Sequence, residues 1–388
     1  MAVLAKRLLI TISVTLLALA AMAACTSQGP TDELKTSVVE NYAAGAYASY
    51  ARSLASAQAM DVAIDNFIAE PSQVRLDAAK RAWLLARDDY GVTEIYRFYE
   101  GPIDNEENGP EGLINAWPMD ESYVDYVEGN ADAGIINMPD EYPTIDADLL
   151  VSLNEEGGEE NISTGWHAIE FLLWGQDLNE DGPGYRPVSD YTTADNADRR
   201  ATYLAVTSDL LLSHLQDMVD AWAPGQSNYR AQFLAKDSDA AITDIVTGIG
   251  EMSRGELAGE RMTVAYDARS QEDEHSCFSD NTISDIVANA AGIQRVYFGE
   301  YGSVSGAGIR DLIAAQDQAL ADKLAAEINR SVYLARSIPA PFDGALLEGI
   351  SDAAPNRRAV LDTIEALEAQ TDTIVSAAQE VGITISVS

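Results

Sequence analysis

Apolar residues recur along this chain at three- and four-residue intervals, and the alternating β-branched runs that make strands are scarce. Thr31 or Asp32 can cap a long first helix whose later part puts Met60, Ile64, Phe67 and Ile68 at helical spacing before Pro71 stops it. Ser72 then caps a second helix running through Leu76, Ala79, Trp83, Ala86 and Tyr90 toward Tyr96. Residues 195–221 read as another long helix, with Tyr203, Leu204, Leu211, Leu215, Met218 and Trp222 on or near an apolar face. Helical texture returns over 240–266, 280–297, 308–332 and 355–381, where Leu312, Leu320, Leu324 and Ile328 repeat at multiples of four, as a buried stripe does. Alanine is abundant throughout, and the pattern predicts an all-α protein made of helical bundle.

Two stretches stand apart. Residues 101–158 are rich in Gly, Pro, Asn, Asp and Glu, with prolines at 102, 110, 118, 139 and 143. A segment this long inside a compact domain is more often a packed or functional loop than a linker, with a disordered insertion as the alternative. Residues 161–177 begin with helix-capping types, run through a dense apolar segment and stop at Gly175. They hold His167, one of three histidines in the chain, and Glu170 three positions on. At that spacing the two side chains lie about 60° apart on one helix face and could share a ligand. Bundle metal sites use Glu-x-x-His, the reverse order, and a lone histidine near an apolar face is ordinarily a satisfied core group.

Charge and the chain start narrow the function. Lys6 and Arg7, an apolar run over 8–21 and Met22-Ala23-Ala24-Cys25 resemble a bacterial lipoprotein signal, with cleavage before Cys25 and lipid on that residue. Plain secretory cleavage and a retained anchor helix are the alternatives. On this reading residues 1–24 are the signal, 25–30 a tether and 31–388 the folded part. A lipidated Cys25 leaves Cys277 unpaired, which excludes a disulfide framework. With 24 basic against 63 acidic residues the net charge is −39, which argues against nucleic acid as a partner.

Other clusters carry possible chemistry. Residues 272–282 pack four acids, His275 and Cys277 into one short segment that could bind a cation, although Ser279 or Asp280 could equally cap the following helix. Glu94 and Arg97 would meet on one helix face and pair in water. Asp177 to Gly182 matches the opening of an EF-hand loop, but Val188 stands at the twelfth position, so an Asx-type turn is the better reading. His-Glu-x-x-His is absent, and His-x-x-Glu-His fails at Phe171.

Taken together, Gly165-Trp166-His167-Ala168-Ile169-Glu170, its continuation through Asp177 and Gly182-Pro183-Gly184-Tyr185-Arg186-Pro187, and the segments 255–262 and 272–282 resemble the imelysin-like family. This family is also called the insulin-cleaving metalloproteinase or peptidase M75 family, and its iron-regulated protein A branch is the nearest in pattern. The resemblance implies an all-α fold of two helical-bundle-like halves, approximately 31–190 and 191–388, with the Gly-x-His-x-x-Glu helix near their interface. It implies His167 and Glu170 as metal-site residues, Glu94 as a third ligand and His275 as a further candidate, for a divalent ion such as iron or zinc. It also implies an extracytoplasmic protein tied to iron acquisition. Three functions follow: an envelope binding protein, lipid-anchored on the periplasmic side with the outer membrane favoured and partnered by iron-uptake proteins; a zinc peptidase; or an interaction module without metal. The missing second histidine leaves enzymatic activity open.

Overall fold

Thr31 starts the first helix, its Oγ1 accepting the Leu34 backbone N–H at 3.2 Å. This helix, α1 (Asp32–Ala69), ends just before Pro71 and buries Val38, Tyr42, Ala46, Tyr50, Ala57, Met60, Ile64 and Phe67 along one side. The computed structural model describes residues 30–179 and 182–387. The signal, Cys25 and residues 26–29 of the tether lie outside the described residues, as do Glu180 and Asp181.

Counting helices of eight residues or more, α2 (Gln73–Gly91), α3 (Gly165–Trp174) and α4 (Ala197–Trp222) complete a first bundle in which α1 packs along α2 and α4. All ten residues of α3 are buried, wedged against α2 and α4, as expected of a helix apolar on every side. Each of its large apolar side chains contributes about 1.5–3 kcal/mol of burial, which offsets the cost of taking His167 and Glu170 out of water.

The second bundle holds α5 (Ser238–Glu251), α6 (Thr282–Phe298), α7 (Ile309–Gln316), α8 (Gln318–Ala335) and α9 (Pro355–Glu380). Helix α6 packs on α2 and α5 on α1, which joins the bundles. Between α5 and the turn Val264–Ala268 the chain winds as a π-helix over Met252–Thr263. Among the described residues there is no strand, only isolated bridges, and no helix is long and apolar enough to cross a membrane.

The all-α expectation holds, with local differences in where two of the helices end. Helix α2 stops at Gly91, where Asn289 of α6 donates to the carbonyl at 2.9 Å, and a separate 3₁₀ turn covers Glu94–Tyr96. The helix expected over 308–332 breaks at Asp317, whose carboxylate accepts the Ala319 and Leu320 N–H groups and so starts α8. After that break Leu312, Leu324 and Ile328 are buried while Leu320 is only partly so. The 101–158 segment is packed: short helical turns at Glu111–Ile114, Glu121–Val124 and Ala147–Leu153 bury Ile114, Val124, Leu150 and Leu153.

Candidate metal and ligand site

Gly165 allows α3 to begin where it does. Its φ is +84°, and a Cβ there would collide with the carbonyl oxygen of Ile114, so the signature helix starts hard against the 111–114 turn. The other end is held by Arg186, fully buried, whose guanidinium donates to the Phe171 carbonyl at 3.2 and 3.4 Å. A cation at a helix C-terminus also answers the helix dipole. Arg186 is fixed in turn by Asp125 at 2.7 Å, which Arg200 bonds as well.

With both ends fixed, α3 points His167 and Glu170 at the segment before α6. His167 Nδ1 lies 3.0 Å from Glu170 Oε2, and Glu170 Oε1 accepts from the Ser279 N–H at 2.9 Å and its hydroxyl at 2.6 Å. Both residues are fully buried. Burial pushes the Glu170 carboxyl up to about 8 against the Ser279 hydrogen bonds, and burial with the nearby Arg87 pushes His167 well below its usual value. His167 Nε2 has no hydrogen-bond partner.

The His275 ring stands edge-on to His167, centroids 4.7 Å apart, with Trp117 on another side at 4.8 Å. His275 is fully engaged: Nδ1 donates to Asp285 Oδ2 at 2.8 Å, Nε2 meets Arg261 Nη1, and Arg87 Nη2 lies 3.2 Å from the ring nitrogens. Burial and Arg261 lower its pKa to about 3, so it is neutral. Arg87 also pairs with Asp285 at 3.2 Å and donates to Asn115. Burial opposes the charge on Asp285, but Arg87 and His275 outweigh it and hold the carboxyl well below its usual range.

Glu94 lies at the same centre, fully buried, with Arg261 Nη2 2.6 Å from Oε2 in a poorly aligned ion pair, Arg87 3.7 Å from Oε1, and Asn115 donating to Oε1 at 3.3 Å. The pairing with Arg97 in water is overturned. The break at Gly91 takes Glu94 off the helix, and Arg97 instead pairs with Glu256 at 3.2 Å and Glu111 at 3.3 Å. The π-helix brings in the last members. Glu256 and Arg261, five apart, would stand about 140° apart on an α-helix, but the wider winding sets them 2.6 Å from each other.

His167, Glu170, Glu94 and His275 thus fall into one connected buried cluster drawn from three segments of the chain beyond α2. A cleft of about 470 Å³ opens onto it, floored by His275, Arg261, Arg97 and Trp117 and rimmed by Glu155, Glu159 and Glu260. His167 stands one layer behind that floor. The third histidine, His214, is on α4. Cys277 is buried with its thiol pushed up by burial, which keeps it protonated. The capping role considered for Ser279 and Asp280 is also corrected: Asn281 occupies the cap of α6 without a side-chain cap bond, while Ser279 serves Glu170. The Asx turn is present, with Asn179 N donating to Asp177 Oδ1 at 2.9 Å.

Sequence reasoning missed Asp285 and Asn115. Asp285 lies among Ile283, Ile286 and Val287 in the first turn of a helix, a position normally explained by the helix dipole alone.

The sequence model of the imelysin family, peptidase M75, matches residues 46–374. Iron-regulated protein A of Synechococcus elongatus is 27% identical over 338 residues, covering 84% of this chain and 80% of its own length. Two crystal structures share the fold. An iron-regulated protein A precursor from Parabacteroides distasonis superposes with a TM-score of 0.74 at 19% identity, covering 92% of this chain and 97% of that one. An imelysin-like protein from Psychrobacter arcticus does so with a TM-score of 0.64 at 14% identity, covering 92% and 98%. The chain therefore belongs to the imelysin family.

Proposed function

We propose that this protein is a cell-envelope binding protein of iron uptake that takes a metal ion, carried by an anionic ligand, into the cleft before His167. The observation that carries this reading is the state of one side chain: a fully buried imidazole with Nδ1 fixed by a carboxylate and Nε2 left without a protein partner. Metal-ligating histidines are held this way, the second ring nitrogen donating to a carboxylate that sets tautomer and orientation; a cation at Nε2 would favour the ionised form of Glu170, which burial otherwise keeps protonated up to about 8. Glu170, with its oxygens taken by His167 and Ser279, acts as that orienting group.

The arginines set the condition on the ligand. Glu94 and Asp285, the carboxylates a bare cation would need, already answer Arg261 and Arg87. A lone divalent ion would have to draw these carboxylates away from their guanidinium partners, whereas an oxygen-rich chelate brings carboxylates of its own and leaves the pairs intact. The name of the Synechococcus relative supports iron as the metal. The leader and Cys25 support lipid anchoring on the periplasmic side, the outer membrane favoured, where envelope iron-uptake proteins are the expected partners.

The test is metal analysis of untagged protein exposed to ferric citrate, to a ferrous salt and to a zinc salt. Stoichiometric metal is expected from the chelate, lost in His167→Ala and kept in His214→Ala. No stoichiometric metal from any of the three sinks the reading. Hydrolysis of unfolded protein that chelator and His167→Ala both abolish would replace it with a zinc peptidase, which needs three protein ligands around an open position. The intact mass of the membrane-fraction product tests the lipid on Cys25.

A further inference from the structure

Behind the other side of the 272–282 segment, away from the arginines, lies a second group of carboxylates, Asp280 half-buried and the others buried. Asp177 follows α3, Glu274 and Asp280 precede α6, and Asp343 comes from the 3₁₀ turn Phe342–Ala345 ahead of α9. One carboxylate oxygen each from Asp177, Asp280 and Asp343 lies within 4.8 Å of the others. Oxygens around an ion at 2.3–2.6 Å can stand at most about 4.6–5.2 Å apart, so the three fit one coordination sphere. A second feature points to something held there. Asp343, 3% exposed, and Glu274, 0% exposed, face each other carboxyl to carboxyl, and none of their four oxygens accepts a well-formed hydrogen bond.

Buried carboxylates ordinarily have an arginine, lysine or donor group as partner. The groups acting most strongly on these four are burial and one another, eased by Thr282 at Glu274 and by Asn179 and Gln271 at Asp177. Burial and the neighbouring acids push Asp280 up to about 7. Asp177 is pre-oriented: Asn179 holds Oδ1 and Gln271 donates to Oδ2 at 2.6 Å.

We propose that Asp177, Asp280 and Asp343, with Glu274 facing Asp343 from behind, form a binding site for a hard divalent cation of the calcium class, separate from the His167 cleft. The three donors are carboxylate oxygens and no imidazole takes part, which selects calcium-like ions over zinc or copper. The ion ties three segments remote in sequence: the end of the signature helix, the stretch of chain that carries His275 and Ser279, and the turn leading into α9. It therefore braces the support of Glu170 without entering the cleft.

The experiment is calorimetric titration of chelator-treated full-length protein with calcium chloride, with melting temperatures measured alongside. One calcium per chain and a rise in Tm at millimolar calcium are expected. In Asp280→Asn/Asp343→Asn the affinity should fall on the order of 10-fold or more. The same variant should melt no lower than wild type in chelator, since two mutually repelling carboxylates are gone, so loss of binding is not loss of fold. His167→Ala should bind calcium as wild type does, which separates this site from the proposed iron function. Absence of heat and of any Tm rise overturns the proposal, as does undiminished binding in the double variant, which would put calcium elsewhere on the acidic surface. Tighter binding of magnesium chloride than of calcium chloride overturns the calcium assignment.

Discussion

His167 and His275 stand edge to face with ring centroids 4.7 Å apart, yet one ring is free at Nε2 and the other is bonded at both nitrogens. Their replacement should therefore separate function from stability. His167→Ala is expected to abolish metal uptake, with Glu170 still bonded to Ser279. His275→Ala leaves buried Arg261 and Asp285 short of a partner and is expected to cost about 1–3 kcal/mol in urea unfolding. Equal losses of metal from both variants at unchanged stability would contradict this division.

Arg87 and Asp285 are a buried pair, 198 positions apart, that joins α2 to α6. Removing one partner strands the other charge, at about 3–5 kcal/mol. Arg87→Met and Asp285→Asn should each lower the urea midpoint strongly, and the double variant should lose less than the two single losses added. Simple additivity would mean that the pair does not hold the bundles together.

How far the site can be read in advance follows from which contacts are local. The helices show as three- and four-residue periodicities, because each buries a face. His167 and Glu170 are legible as a pair since one helix turn brings them together. Arg87–Asp285 and Arg261–His275 come from separate elements, and no spacing rule links them. The Glu256–Arg261 contact depends on π-winding, which the periodicity of 240–266 does not distinguish from an α-helix. The spacing of Glu94 places it on a helix face, but that helix ends at Gly91, a stop made by the approach of Asn289 rather than by a proline or a cap.

Gly165 offers a backbone test. At φ +84° any side chain is strained by about 1–3 kcal/mol. Gly129, at φ +80° with nothing within 4 Å of where a methyl group would stand, carries the strain alone. Gly165→Ala adds a collision with the Ile114 carbonyl and should displace Asn115 from Arg87. Its loss of Tm should exceed that of Gly129→Ala, with metal uptake reduced only in the former. Equal losses would show that the 111–114 turn yields freely.

Glu256 makes acid stability testable. Burial pushes its carboxyl up, but Arg261 and Arg97 outweigh that and hold it at about 2, against 4.5 for the ordinary group. Between those values the unfolded chain takes up a proton that the folded protein does not. The pair's contribution is therefore complete above about 4.5 and is lost as pH falls toward 2. The shift corresponds to about 3 kcal/mol at most. Many of the 63 acidic residues titrate in the same window, so the comparison must be with Glu256→Gln, which keeps the shape and cannot ionise. Urea midpoints should differ most at neutral pH, with wild type the more stable, and converge as the pH approaches 2. Curves that stay parallel over the whole range would mean that Arg261 and Arg97 gain nothing from the charge on Glu256.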